Sequence, residues 1–233
     1  DLHSMDWADP NPVRRAHETI ELTKQFLAGE GRVDYDGEVF HTADFPSLDT
    51  DVPVYHAALG KANRRVVARL ADGWMPHNVP FPDLAESFEY IAEHAREAGR
   101  DPGDISVAPY VPAAVDDDAS EAYDAVRGHL AYYVGSGEGY ERAVATRFPD
   151  EASEVAAHWR GDGRERDRNA AKGAVTDEMV DALGVAGTPE TARERLTEVI
   201  DLDVVDEPMI AIPQNASAEM VERTVEELSP ERL

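Results

Sequence analysis

The chain has 233 residues, with 48 Asp and Glu against 22 Lys and Arg, a formal net charge of −26 and no cysteine. Such a charge repels a phosphate backbone and argues against nucleic acid as a partner; the missing cysteine excludes a disulfide framework, a thiolate metal site and a cysteine nucleophile. No run of about 18 apolar residues suits a membrane span, and Asp1-Leu2-His3-Ser4-Met5 shows neither the basic nor the apolar region of a signal peptide.

At 42% hydrophobic the chain can bury a core. Acidic residues are spread throughout, and lysine is confined to Lys24, Lys61 and Lys172. Carboxylates hold hydration and keep a protein soluble, and molar salt screens their repulsion. The composition suggests a salt-rich cytoplasm.

In chain order, Asn11 to Gly29 reads as a helix, with Asn11 as cap, Pro12 in the first turn and Gly29 as stop. Val33-Asp34-Tyr35-Asp36-Gly37-Glu38-Val39-Phe40 reads as a hairpin turning at Asp36-Gly37, and Thr42 to Asp51 as a loop. Val52 to Leu59 is expected to be a buried strand running through Gly60 into a helix from Lys61 to Ala71. Asp72 to Pro76 is a second short strand, and Pro82 to Ala98 a helix with Leu84, Phe88, Ile91 and Ala95 on one face. Ile105 to Val111 is the third strand. Asp116-Asp117-Asp118 marks a helix N-terminus, where the dipole favours negative charge.

From Ala119 to Gly184 the pattern is helical and broken. Thr188-Pro189-Glu190 opens a further helix, Pro208 to Pro213 is the fourth strand, and Ser217 to Leu228 the last helix. Gly135-Ser136-Gly137-Glu138-Gly139 follows a helix, not a strand, and reads as a loop. Alternating strands and helices imply an α/β fold with a parallel sheet. Periodicity alone does not separate an open sheet from part of a barrel.

The stretch Pro53-Val54-Tyr55-His56-Ala57-Ala58-Leu59-Gly60-Lys61-Ala62-Asn63-Arg64, with Leu70-Ala71-Asp72-Gly73-Trp74, resembles the bacterial-luciferase-like family. It is similar in particular to the coenzyme F420-dependent branch that includes methylenetetrahydromethanopterin reductase. The hairpin, Ala98-Gly99-Arg100-Asp101-Pro102 and Val185-Ala186-Gly187-Thr188-Pro189-Glu190 extend the resemblance in order over most of the chain. It implies the C-terminal part of a (β/α)8 barrel, strands five to eight, as a single domain over 1–233 with a helical insertion at 119–184. The four N-terminal strands of the family, with its aspartate and histidine near the flavin, would precede Asp1, and catalytic residues stay unassigned.

The resemblance implies an oxidoreductase that moves hydride between coenzyme F420 and a small organic substrate, such as a methylene-pterin or an alcohol/ketone. A homodimer in an archaeal cytoplasm would follow. An FMN-dependent monooxygenase, or a shortened non-catalytic flavin-binding or interaction protein, stays open as the alternative. Ala58, Leu59, Gly60 and Lys61 form the turn that holds the cofactor phosphate in the family, a role suited to backbone N–H groups at a strand-to-helix junction. His56 and His77 lie near strand ends but read first as packing residues, and no spacing suggests a metal. Trp74 reads as core, and Tyr132, Tyr133 and Tyr140 either pack or line a substrate entrance.

Overall fold

The computed structural model describes residues 11–29, 31–161 and 167–233, so Asp1 to Met5, read above for a signal segment, lie outside the described residues. The described residues fall into two compact units, one from 11–74 and 90–105, the other from 75–89 and 106–233.

The first unit holds α1 (Pro12–Ala28), the antiparallel pair β1 (Arg32–Asp36) and β2 (His41–Pro46), β3 (Tyr55–His56), α2 (Lys61–Leu70) and β4 (Gly73–Trp74), with β3 and β4 parallel. The part of α3 (Leu84–Glu97) from Tyr90 onward also belongs to it. Asn11 caps α1 through Arg14 N, as expected. α1 and α2 are tied by Lys24, whose ammonium reaches the Leu70 carbonyl at 3.0 Å and the Asp72 carboxylate at 2.5 Å. Arg100 completes the C-terminus of α2 by donating to the carbonyls of Val67, Ala68 and Ala71, the position where a cation complements the helix dipole.

Two expectations for this unit need correction. The hairpin does not turn at Asp36-Gly37 alone; residues 37–40 form its connection, and the second strand runs from His41 into the expected loop. The buried Glu18 is the cause, because its carboxylate accepts the N–H groups of Glu38, Val39 and Phe40 at 2.8–3.0 Å and so removes them from the ladder. The expected buried strand from Val52 to Leu59 shrinks to Tyr55–His56, with Val52 half exposed. Pro53 has no N–H to give, and the Val54 N–H goes to Asp72 at 2.8 Å.

The second unit holds the start of α3, β5 (Ser106–Val107), β6 (Tyr110–Val115), α4 (Ala119–Ser136), α5 (Glu138–Val144), α6 (Pro149–Arg160), α7 (Arg168–Gly173), α8 (Asp177–Leu183), β7 (Val185–Gly187), α9 (Pro189–Ile200), β8 (Met209–Ala211) and α10 (Ala218–Glu227). β6 lies between β7 and β8, and both pairings are parallel. The expected third strand is therefore two pieces, interrupted at Ala108-Pro109 where proline cannot extend a ladder. β7 is an additional strand, three residues long.

The helical character of 119–184 holds among the described residues. Gly135 to Gly139 is not a loop: α4 continues through Ser136, and a single residue, Gly137, separates it from α5. Asp118, Thr176, Thr188 and Ser217 each cap a helix through a side-chain oxygen. The core of this unit lies between α4, α6, α8 and the sheet, around Leu130, Val134, Val155, Met179 and Leu183. Thr224 is buried on α10, where its hydroxyl accepts the Val115 N–H at 2.9 Å and donates to the Met220 carbonyl at 2.7 Å.

Candidate functional site

In the first unit, Ala58, Leu59, Gly60 and Lys61 carry the chain from β3 into α2, as expected. Ala58 is fully buried, and its carbonyl accepts the indole N–H of Trp74 at 2.8 Å. Trp74 is thus core, as read, and at the same time fixes the turn. Gly60 is the N-cap of α2 and offers no side-chain cap. A Cβ placed on it would meet nothing within 4 Å, so the space above the first turn is open.

The charges of this turn run against the helix. Lys61 and Arg64 stand in the first turn of α2, which contains no acid, although the dipole there disfavours cations. Among the described residues neither has a carboxylate partner. The Lys61 ammonium lies 5.6 Å from the Tyr90 ring centre and the Arg64 guanidinium 5.3 Å from that of Trp74. Burial pushes the Arg64 guanidinium pKa down. Arg64 Nε, Asn63 Oδ1 and His56 Nε2 are buried without a hydrogen-bond partner among the described residues. Burial lowers the His56 pKa, against a smaller opposing effect of the Asn63 side chain. A helix N-terminus without a side-chain cap, two cations with no carboxylate partner among the described residues and the unmatched Arg64 Nε donor fit an incoming phosphate.

Asn63 and Arg64 were missed as site residues by sequence reasoning. Their signal is an arginine in the first turn of a helix within an acid-rich chain, where a carboxylate is the ordinary choice.

In the second unit, His77 and Asn78 follow β4 in sequence and are buried, as is His129 on α4. The His77 ring lies 4.2 Å from those of Tyr110 and Tyr133, 5.0 Å from that of Tyr140 and 6.2 Å from that of His129. Burial, and secondarily the charge of His129, brings the His77 pKa down to about 4; burial brings His129 to about 4. Both imidazoles are neutral at pH 7. His77 Nε2, His129 Nε2 and both amide atoms of Asn78 have no hydrogen-bond partner among the described residues. Asn78 also holds a left-handed backbone, φ 58°. His129, Tyr132, Tyr133 and Trp159 line a cavity of about 250 Å³. Tyr133 and Tyr140 thus join His77, whereas Tyr132 is 44% exposed. Among the described residues no group of three or more His, Asp or Glu side chains could hold a metal ion.

The chain is 30% identical over 207 residues to the 5,10-methylenetetrahydromethanopterin reductase of Methanolobus tindarius, a match that covers 88% of this chain and 61% of the reductase. It is 25% identical over 232 residues to the F420-dependent glucose-6-phosphate dehydrogenase of Beutenbergia cavernae, covering 97% of this chain and 63% of the dehydrogenase. The fold is that of the coenzyme F420-dependent tetrahydromethanopterin reductase of Methanopyrus kandleri, with a TM-score of 0.74 at 24% identity over 95% of this chain and 64% of that one. The chain therefore spans less than two thirds of the length of each of these relatives. The sequence profile described as "Luciferase-like monooxygenase" matches residues 1–205, and the chain belongs to that luciferase-like family.

Proposed function

We propose that this protein is a coenzyme F420-dependent oxidoreductase acting on a small organic substrate, such as a methylene-pterin or an alcohol/ketone pair. The similarity at 30% identity to a methylenetetrahydromethanopterin reductase carries the reading. The open N-terminus of α2 supports it, because the residues present fit a phosphate-bearing cofactor. Backbone N–H groups at Gly60 and Lys61, with the side chains of Lys61, Asn63 and Arg64, would hold the phosphate, while Ala58 and Leu59 shape the turn. The deazaflavin, when bound, supplies the hydride chemistry. The chain's own part is to hold the anion and fix the turn through Trp74; a bound anion would offset the cost of two cations at a helix N-terminus.

The same reading treats 1–233 as one barrel domain, strands five to eight, with 119–184 as its insertion, and the protein as a homodimer in a salt-rich archaeal cytoplasm. The excess of carboxylates and the three lysines support the salt-rich setting; the dimer and the barrel numbering rest on family resemblance.

The test is titration of the intact protein with coenzyme F420 and with FMN in 2 M KCl. Saturable F420 binding that weakens in Gly60→Asp is expected. Failure of F420 to bind, or preference for FMN, overturns the assignment.

A further inference from the structure

We propose that the outer row of α2, Lys61, Arg65 and Arg69, with the cleft that α2 shares with α1, binds the oligo-γ-glutamyl tail that coenzyme F420 carries beyond its phosphate; this rests on the proposed function, which puts that phosphate at the N-terminus of the same helix.

α2 reverses the charge of the chain. Asp and Glu make up 48 of 233 residues, about one in five, so a ten-residue segment would ordinarily carry about two. α2 has none and holds Lys61, Arg64, Arg65 and Arg69 instead. Arg69, in the last turn, complements the helix dipole. That reason does not extend to Lys61 in the first turn or to Arg65 behind it, and like charges four residues apart on a helix repel. The cost of three cations in one row points to an anion that offsets it.

The row has a length and a direction. Residues 61, 65 and 69 are each four apart and so follow one another along the helix surface. At 1.5 Å per residue the row runs about 12 Å away from the Gly60 turn. Arg65 and Arg69 are exposed. With Arg14 and His17 of α1 they line a cleft of about 510 Å³, which Ala62 and the buried Val66 also line. Glu38 lies in the same cleft, where Arg14 Nε holds it at 3.3 Å. That acid is therefore matched by a cation outside the row.

The spacing matches a chain of γ-linked glutamates. Five bonds separate one amide nitrogen of such a chain from the next, roughly 6 Å when extended, and each unit bears one α-carboxylate. Four residues of α2 advance about 6 Å. Successive carboxylates can then meet successive cations, with Lys61 beside the phosphate and Arg65 and Arg69 each taking one glutamate. A guanidinium suits a carboxylate through paired N–H groups. The phosphate at Gly60 tethers the tail, so each of these contacts forms within one bound molecule.

The experiment is isothermal titration calorimetry of the full chain in 1 M KCl with coenzyme F420 bearing no glutamate, two glutamates and five. Two glutamates should tighten binding by about three- to tenfold over none, a modest gain because exposed ion pairs contribute little each. Five should add less than about a further twofold, since the row ends at Arg69. Arg65→Gln/Arg69→Gln should remove the gain and leave the tail-less coenzyme bound within about twofold of the parent. Arg142→Gln/Arg232→Gln, which lowers the charge equally on the second unit, should keep the gain. Far-UV circular dichroism and Tm confirm that both variants fold; should one not, the tail-length series on the parent protein decides. Binding of the tail-less coenzyme with no gain from the tail, or a gain that survives in folded Arg65→Gln/Arg69→Gln, overturns this inference alone. No binding of any form overturns the proposed function and this inference with it.

Discussion

The indole N–H of Trp74, the last residue of β4, donates to the carbonyl of Ala58, in the turn from β3 into α2, across 2.8 Å in a fully buried setting. The bond ties the end of β4 to the turn that leads into the N-terminus of α2. Trp74→Phe keeps most of the ring and removes the donor, leaving a buried carbonyl unmet. A loss of about 1–3 kcal/mol in denaturant unfolding is expected, together with weaker F420 binding as the turn loosens. Unchanged stability would show that water replaces the indole without cost.

Two glycines have opposite requirements. Gly60 has ordinary extended backbone, φ −77°, and open space above it. Gly60→Asp should fold with stability within about 0.5 kcal/mol of the parent, since aspartate is itself a good cap, yet bind F420 far less tightly. Gly135 is buried against Trp159. Gly135→Ala should cost about 1–3 kcal/mol through overpacking. Unfolding curves and F420 titrations on the two variants separate a binding glycine from a packing glycine; equal losses of stability would refute the distinction.

The hairpin shows what a sequence does and does not disclose. Asp36-Gly37 marked a turn, and a turn is there, but the reason for Gly37 lies elsewhere in the chain. A Cβ on it would sit 2.3 Å from a Glu18 carboxylate oxygen. Nothing local announces that Glu18 would be buried beneath residues 37–40. The helix starts at Asn11, Asp116 to Asp118, Thr188 and Ser217 were legible because a helix N-terminus is marked by residues that act on backbone two or three positions away. β7 was not, since three residues carry no period, and its pairing with Ala113 to Val115 is long-range. At the candidate site, the Ala58 to Lys61 turn was legible from its strand-to-helix position. Arg64 was not, because its meaning depends on which carboxylates fail to reach it.

Glu18 also sets an acid limit on the first unit. Burial alone would raise its pKa, but the N–H groups of Phe40, Val39 and Glu38, with the Arg14 side chain, overcome this and hold it at about 2, against an ordinary value of 4.5. A depressed carboxylate adds stability above the unfolded-state value that is lost as pH falls through the folded one. The hairpin contribution should therefore be intact above pH 4.5 and fade toward pH 2. Glu18→Gln should be less stable at pH 7 and lack this limb in a Tm-versus-pH series. A parallel profile for the two proteins would contradict the assignment.

His77 and His129 act in a different window. Their folded values near 4 lie below the ordinary 6.5, so between these limits the unfolded chain binds more protons than the folded one. Stability then rises with pH across that interval and falls on acidification from 6.5 to 4, with a slope of up to about 1.4 kcal/mol per pH unit for each imidazole. Denaturant unfolding at half-unit steps should show it, and His129→Phe should reduce the slope by about one proton. An unchanged slope would mean that His129 stays protonated in the fold.

Salt should matter most of all. Carboxylates exceed basic side chains by 26, so every possible ion pair still leaves that excess repelling itself. The Debye length falls from about 10 Å at 0.1 M to about 3 Å at 1 M. Long-range repulsion is then removed, while buried and close pairs, such as Arg14 with Glu18 at 2.6 Å, are screened much less. Raising KCl from 0.1 to 2 M should therefore raise Tm, steeply at first and then toward a plateau. An equal weight concentration of sorbitol, which excludes without screening, should not reproduce the steep part. A Tm that falls with KCl, or rises equally in sorbitol, would refute charge repulsion as the cause and with it the salt-rich setting.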